Sequence, residues 1–231
     1  MLGRVALNRK LPPPEVLSGW ESAQWIYESV DSELRQEAAA AVAELPVDWA
    51  LVPVEGRRKK LLVADMDSTI INVECLDELA DFAGIKEEIA AITERAMRGE
   101  LEFEPALRER VSKLKGLALD ALQKTYDERV RLNPGAATFV KTMAAYGARC
   151  VLVSGGFTFF TSRVADAAGF HANRANVLID DGATLTGDVQ EPILGRKAKL
   201  EAMRAEAAAL RINDKDALAI GDGANDLDMI K

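Results

Sequence analysis

Two aspartates, Asp65 and Asp67, stand two positions apart directly after the apolar run Leu61-Leu62-Val63-Ala64. Such a run predicts a central parallel strand that is buried on both faces. Ligands of open α/β sheets bind beyond the carboxyl ends of the strands. Because an unpaired carboxylate is costly to bury, the pair indicates a metal ion, another cation or a solvent-filled mouth. The alternative is an ordinary Asp-rich turn after a strand.

Two further apolar strands are predicted to end in polar clusters. Arg149–Val153 runs into Ser154-Gly155-Gly156, and Ala217–Ile220 runs into the segment from Asp222 to Asp226. In a parallel sheet such strand ends lie side by side, so the clusters should converge with the aspartate pair. A hydroxyl, glycines and a following helix N-terminus suit an anion. Carboxylates that face each other need a cation, and all-oxygen ligands favour Mg²⁺.

Together these residues predict a Mg²⁺-dependent phosphate site with a carboxylate positioned to attack. An aspartate can act as a nucleophile and form an acyl phosphate. Mg²⁺, a lysine and the N–H groups at Ser154 would neutralise the phosphoryl oxygens. Asp67 could protonate the leaving oxygen and later activate water.

The composition is that of a globular protein, with 231 residues of which 48% are hydrophobic and 29% charged. The net charge of −8 argues against non-specific binding to nucleic acid or to anionic membranes. Both cysteines, Cys75 and Cys150, are expected to be core thiols, and His171 is expected at the surface. With no leader-like segment and no apolar run that could span a bilayer, we expect a cytoplasmic protein.

A charged linker over Glu55–Lys60 predicts a boundary between two parts of the chain. Residues 1–59 are interpreted as a short N-terminal α/β segment, an incomplete regulatory-type domain. Within it a helix is predicted over Ser32–Leu45, capped by Asp31 or by its own first residue. A strand is predicted over Trp49–Val54, at a sheet edge because it contains a proline.

Residues 60–231 are predicted to form an α/β core with a Rossmann-like parallel sheet. A helical block over about residues 75–132 follows the first core strand, and it is too long for a single crossover, so a cap domain is predicted. Further along, Asn176–Ile179 and Ala183–Val189 predict a hairpin. The chain stops soon after Asp222, so we expect an uncovered edge strand and a missing C-terminal end of the core.

The order Asp-x-Asp-x-Thr, Ser-Gly-Gly, a helical lysine and Gly-Asp-Gly-x-Asn-Asp resembles the haloacid-dehalogenase-like (HAD) phosphatase superfamily. The resemblance implies a HAD-like core with Asp65 as nucleophile and Asp67 as general acid and base. It implies Mg²⁺ held by the Asp65 carboxylate, the Asp67 backbone carbonyl and Asp222. The superfamily places its lysine about two dozen residues before the metal-binding aspartate, which favours Lys199 and leaves Lys197 as the alternative.

The remaining polar residues of these motifs also take roles from the resemblance. Ser154 and Gly155 would bind the transferring phosphate. Asn225 and Asp226 would complete the polar site, with Asp226 orienting a metal-bound water.

Residues at the start of the helical block and within it indicate the substrate. The stretch from Asp65 to Glu74 resembles superfamily members that act on O-phospho-L-serine, which implies that Glu74 receives the substrate ammonium. Met97 and Phe103 would screen the site, and Arg110 would clamp the carboxylate, as a guanidinium fork can. Ordinary alternatives are a Met/Phe core pair and a surface arginine. Arg108 is a competing clamp, and its two-residue offset keeps it off the same helix face.

The resemblance therefore implies hydrolysis of O-phospho-L-serine to L-serine and phosphate through an aspartyl-phosphate, the last step of serine biosynthesis. The expected partner is a small-molecule substrate, without nucleic acid or membrane, and a homodimer is left open. One alternative is the same chemistry on another small phosphomonoester, such as phosphothreonine or phosphohomoserine. Another is an inactive module that binds a phosphorylated ligand.

Overall fold

The computed structural model describes residue 9, residues 12–19, residues 21–97 and residues 100–230. The chain divides into two compact units, Met1–Arg57 and Arg58–Lys231. No helix in the described ranges is long and apolar enough to cross a membrane.

The first unit contains an antiparallel hairpin and one helix. Strands β1 (Glu15–Ser18) and β2 (Ser22–Gln24) precede helix α1 (Ser32–Val42). Asp31 caps the helix, since its Oδ1 accepts a hydrogen bond of 2.7 Å from the Leu34 N–H. The strand predicted over Trp49–Val54 is wrong, because these residues form no ladder with any described strand. Its proline removes a backbone donor, so a lone edge segment gains little from pairing.

The second unit alternates strands and helices around a long helical block. In chain order its elements are β3 (Leu61–Ala64), α2 (Cys75–Phe82), α3 (Lys86–Met97), α4 (Phe103–Ser112), α5 (Asp120–Arg129), α6 (Ala136–Ala145), β4 (Arg149–Phe157), α7 (Thr158–Ala168), β5 (Ala172–Asn176), β6 (Leu178–Asp180), β7 (Leu185–Val189), α8 (Arg196–Leu210), β8 (Ala217–Ile220) and α9 (Leu227–Ile230).

A four-stranded parallel sheet in the order β5-β4-β3-β8 forms the centre of this unit. The predicted α/β class with a Rossmann-like parallel sheet is therefore confirmed. In register, Ala64 lies opposite Leu152 on one side and Ile220 on the other. Strand β8 is an edge among the described strands, and its side chains are only half-buried.

Strand β3 is central because it is apolar on both faces. All four of its residues are fully buried. Leu62 and Ala64 pack into a core with residues of α6 and α7, whereas Leu61 and Val63 pack with Ala202 and other residues of α8. Side chains alternate between the two faces along a strand, so each face of β3 contributes two buried residues to a core. This double burial places Asp65 at the middle of the sheet edge.

The two chain segments that connect the helical block to the core are bonded to each other. Ile71 and Leu132 form an isolated antiparallel bridge. The Asn133 amide donates to the carbonyls of Thr69 and Ile71 at 2.9 and 3.0 Å. These bonds hold together the two segments through which the chain enters and leaves helices α2 to α5.

Several local expectations are also confirmed. Strands β6 and β7 form the predicted hairpin, although Asn176 belongs to β5 instead. Cys75 and Cys150 are free and buried. His171 is exposed, and its Nδ1 accepts a hydrogen bond of 2.9 Å from the Cys150 N–H.

Glu206 ties helix α8 to the sheet, and its loss should destabilise the fold. Its carboxylate lies 2.6 Å from Arg149 and 2.7 Å from Arg174, and these two charges hold the pKa of Glu206 below its ordinary 4.5. We expect Glu206→Gln to lower the free energy of unfolding by about 1–3 kcal/mol at neutral pH. A group with a lowered folded pKa loses its contribution as pH falls, so the difference should shrink in acid.

Urea unfolding of both proteins near neutral pH and in acid measures this effect. Glu201→Gln is the control, since Glu201 lies exposed on the same helix. An equal loss in both variants, or a difference that grows in acid, would contradict the assignment.

Candidate active site

The carboxyl ends of β3, β4 and β8 meet at one edge of the sheet, as the sequence predicted. Asp65 follows β3, Ser154 lies within β4, and Asp222 follows β8. Oxygen atoms of Asp65, Asp222 and Asp226 lie within 4.8 Å of one another. The Ser154 hydroxyl lies 3.4 Å from Asp67 Oδ2.

Asp65 occupies the centre of the site and is almost completely buried. Its backbone N–H donates to the Ile220 carbonyl at 3.0 Å, which extends the β3–β8 ladder by one bond. Burial raises the pKa of Asp65 to about 6, against the opposing effect of the Lys199 ammonium 2.8 Å away. Asp65 Oδ1 has this ionic contact but no well-aligned hydrogen-bond donor among the described residues. A carboxylate oxygen can accept from more than one direction, so this ionic contact leaves Asp65 Oδ1 able to contact a further cation.

Lys199 lies on the first turns of α8 and is fully buried between two carboxylates. Its ammonium is 2.8 Å from Asp65 and 2.7 Å from Asp226. Lys197, the alternative, is exposed and lines a cavity of about 590 Å³ with the outer side of Phe103. The structure therefore brings Lys199 into the acidic cluster and leaves Lys197 outside it.

The three carboxylates form a group that could hold a metal ion. Asp222 is exposed, and its Oδ1 accepts a hydrogen bond of 2.9 Å from the Thr69 hydroxyl. The all-oxygen donor set and the remaining acceptor capacity of Asp65 fit a hard divalent cation. Asp226 is held by Lys199 and by the Gly223 N–H at 3.1 Å. Asn225 lies in the same turn, with its Oδ1 close to the Gly223 Cα.

Asp67 lies between the core and the helical block. Its Oδ1 accepts a hydrogen bond of 3.0 Å from the Cys75 N–H, and its Oδ2 faces the Ser154 hydroxyl. Removal from solvent is the main cause that raises the pKa of Asp67 to about 7, and the negative charge of Glu74 adds to it. A carboxyl group that titrates near neutral pH can give and accept a proton.

The segment after Ser154 has no room for side chains. A Cβ on Gly155 would lie 3.0 Å from the Phe103 ring, and a Cβ on Gly156 would lie 2.8 Å from Asp67 Oδ2. The Gly156 N–H donates to the Ser154 hydroxyl at 2.9 Å. Glycines here let Phe103 and Asp67 approach the backbone closely, and bare backbone beside a hydroxyl suits an anion.

Glu74 and Arg110 lie within electrostatic reach of each other. Glu74 caps α2 and accepts a hydrogen bond of 2.6 Å from Ser68, whose φ of 54° is left-handed. Burial raises the pKa of Glu74, and the Arg110 charge opposes this. Arg110 is partly buried, with its guanidinium near Thr93 at 3.5 Å. Arg108 instead pairs at the surface with Glu191.

Two residues were predicted to screen the site. The Phe103 ring contacts the backbone at Gly155 and at Gly195, so it closes the space above the serine-glycine segment. The side chain of Met97 lies outside the described residues, and its role stays a prediction.

Four residues that position the site had no role in the sequence analysis. Ser68 and Thr69 directly follow the aspartate pair, and hydroxyls at these positions could have indicated in the sequence that they orient the site. Asn176 is fully buried and links two loops: its amide donates to the Gly155 carbonyl at 2.8 Å and its Oδ1 accepts from the Leu194 N–H at 2.7 Å. The fourth is Cys75. No sequence pattern marks Asn176, because its partners are backbone groups.

Asn176→Ala should cost more stability than an ordinary surface change. It leaves buried backbone groups at Gly155 and Leu194 without partners, so we expect a loss of about 2–4 kcal/mol in the free energy of unfolding. Asn173→Ala is the control, since Asn173 lies on the same strand and its Oδ1 accepts a single bond of 2.9 Å from the Thr161 hydroxyl. Chemical denaturation of both variants measures the difference, and equal losses would refute the linking role.

The comparisons with known proteins agree on one family. Residues 62–231 match the model for haloacid dehalogenase-like hydrolases. A phosphoserine phosphatase from Polaromonas sp. (strain JS666 / ATCC BAA-500) is 47% identical over 176 residues, covering 74% of this chain and 75% of that protein. One from Archaeoglobus fulgidus is 37% identical and covers 87% of this chain and 58% of that protein.

Solved structures give the same result. A structure described as a phospho-aspartyl intermediate analogue of phosphoserine phosphatase has a TM-score of 0.69 and 40% identity, covering 75% of this chain and 82% of that one. A HAD-family hydrolase from Salmonella enterica serovar Typhi has a TM-score of 0.81 at 28% identity, covering 99% of this chain and 80% of that one.

Proposed function

Because the chain belongs to the haloacid dehalogenase-like hydrolases, we propose that it is a Mg²⁺-dependent phosphatase that converts O-phospho-L-serine to L-serine and phosphate. The observation that carries the proposal is the pairing of two carboxyl groups with opposite surroundings. Asp65 contacts a buried ammonium, whereas Asp67 has no ion pair with any described residue and faces the serine-glycine segment. These different surroundings support Asp65 as the nucleophile and Asp67 as the proton donor.

The chain's own residues support a two-step transfer. The Asp65 carboxylate attacks phosphorus, and the bond from phosphorus to the serine oxygen breaks. Asp67 protonates the departing oxygen, then takes a proton from the water that hydrolyses the aspartyl-phosphate. Lys199 and the N–H groups around Ser154 offset the charge on the phosphoryl oxygens. The solved relative with a phospho-aspartyl analogue supports this route.

Asp65, Asp222 and the Asp67 backbone carbonyl are the proposed Mg²⁺ ligands. The oxygen-only donor set fits this ion, and Asp226 would orient its water. When bound, Mg²⁺ supplies positive charge to the phosphoryl oxygens. Thr69 holds Asp222 through its hydroxyl, so the ligand is oriented by the same segment that carries the nucleophile.

Substrate recognition is assigned to the helical block. Glu74 would receive the ammonium and Arg110 the carboxylate, with Phe103 and Met97 excluding water. Partial burial of Arg110 strengthens its pairing with a carboxylate, because water screens it less. The names of the similar proteins support phosphoserine over phosphothreonine and phosphohomoserine. The cytoplasmic location and the role of residues 1–59 stay predictions.

Phosphate release from O-phospho-L-serine is the direct test of the reaction. We expect release with Mg²⁺, none with excess EDTA, and a loss of at least about 1000-fold in Asp65→Asn, because an amide is a very poor nucleophile. Circular dichroism checks that the variant is folded. Turnover in EDTA would reject the metal, and turnover by folded Asp65→Asn would reject the nucleophile.

The amino-acid site is tested by Glu74→Gln and Arg110→Gln. Each removes one charged hydrogen-bond partner, so KM for O-phospho-L-serine should rise about 10- to 100-fold. Turnover of p-nitrophenyl phosphate, which lacks both charged groups, should change far less. Arg108→Gln is the matched control and should leave KM unchanged. If Arg108→Gln has the larger effect, the clamp is assigned to the wrong arginine.

A further inference from the structure

The two oxygens of the Asp67 carboxylate have different surroundings. Oδ1 points to the start of helix α2, where the Cys75 N–H donates to it at 3.0 Å. Oδ2 points into the site, 3.4 Å from the Ser154 hydroxyl. A Cβ on Gly156 would lie only 2.8 Å from Oδ2, so this oxygen borders the phosphate space directly.

The Cys75 N–H is available for this contact because of its place in the helix. Cys75 is the first residue of α2 and Glu74 is its N-cap. First-turn N–H groups have no partner inside their own helix. The positive end of the helix dipole also favours a carboxylate at this point. Asp67 thus takes the position of a capping side chain that comes from the core.

We infer that Cys75 is a positioning residue: its backbone N–H holds Asp67 Oδ1, so that Oδ2 alone delivers the proton to the leaving oxygen. This inference rests on the proposed function. In the balanced step an Asp65 carboxylate oxygen forms a bond to phosphorus as the bond from phosphorus to the serine oxygen breaks. The electron pair of the broken bond passes to the serine oxygen, which takes the Oδ2 proton. Because Cys75 follows Glu74 directly, the start of α2 also joins ammonium binding to the orientation of the acid.

Cys75→Pro removes this N–H together with the buried thiol. Proline is favoured at the first position of a helix. The residue before a proline prefers extended backbone, and Glu74 already has φ −91° and ψ 108°. Cys75→Ala is the matched control, because it keeps the N–H and removes the thiol, which also interacts with Asp67.

A pair of substrates isolates proton delivery from recognition. Cleavage of O-phospho-L-serine releases a strongly basic alkoxide that needs a proton. Cleavage of S-phospho-L-cysteine releases a thiolate, whose conjugate acid has a pKa of about 8.5. Both carry the same ammonium and carboxylate. In Cys75→Pro, the ratio of kcat/KM for the serine compound to that for the cysteine compound should fall roughly 10- to 100-fold. In Cys75→Ala it should stay within about twofold of wild type.

The results separate the alternatives. An unchanged ratio in folded Cys75→Pro, or an equal fall in Cys75→Ala, would overturn the inference. Equal losses on both substrates would also overturn it, because they indicate displaced recognition. If the wild-type chain cleaves neither compound, the proposed function fails. The amide NMR signal of Cys75 then still tests the hydrogen bond to Asp67.

The hydrogen bond is tested independently by labelling the chain with ¹⁵N-cysteine, which gives two amide signals because there are two cysteines. Cys75→Ala assigns the signals. In Asp67→Asn the Cys75 amide proton should move upfield as its charged acceptor is lost. Cys150, whose N–H donates to His171, is the internal reference and should not move. An unmoved Cys75 signal would reject the bond even if Cys75→Pro does not fold.

Discussion

The buried ammonium of Lys199 is the contact on which the site depends. It separates Asp65 from Asp226, two carboxylates that would repel each other at close range without it. Removing charges from water is costly, so each must be paired. With exposed Asp222 included, three carboxylates meet one ammonium, which leaves two negative charges. A divalent cation would balance them, which ties the electrostatics of the fold to the proposed metal.

Close backbone approach at the sheet edge is the second constraint. A side chain on Gly221 would overlap the Asp226 carboxylate, and one on Gly156 would meet Asp67. The strand ends can converge only where these positions carry no Cβ. The same lack of side chains leaves bare backbone beside Ser154, so close packing and the proposed anion binding depend on the same residues.

Recognition and chemistry are linked through the start of α2. Glu74, the proposed ammonium acceptor, and Cys75, the donor to Asp67, are consecutive residues of one helix terminus. The bridge between Ile71 and Leu132 holds this terminus near the core. A displacement of the helical block would therefore alter the substrate site and the acid together.

The sequence by itself determined three of the four described strands of the parallel sheet and the edge at which their polar residues meet. Apolar runs followed by polar clusters at Asp65, Ser154 and Asp222 are sufficient, because parallel strands bring their carboxyl ends together. It failed for Trp49–Val54, which pairs with none of the described strands. It also missed β5 as a strand, because Ala172–Asn176 is largely polar and lacks the apolar pattern.

Only the tertiary structure decided which of several similar residues enter the site. Lys197 and Lys199 are two positions apart on α8, as Arg108 and Arg110 are on α4, so in each pair the side chains point in different directions. The face that a helix turns inward depends on packing with distant elements. Asn176 bonds to backbone groups of Gly155 and Leu194, which are distant in sequence, and Cys75 holds Asp67 through its backbone N–H. Such roles have no residue pattern, and they exist only once the strands and helices have packed.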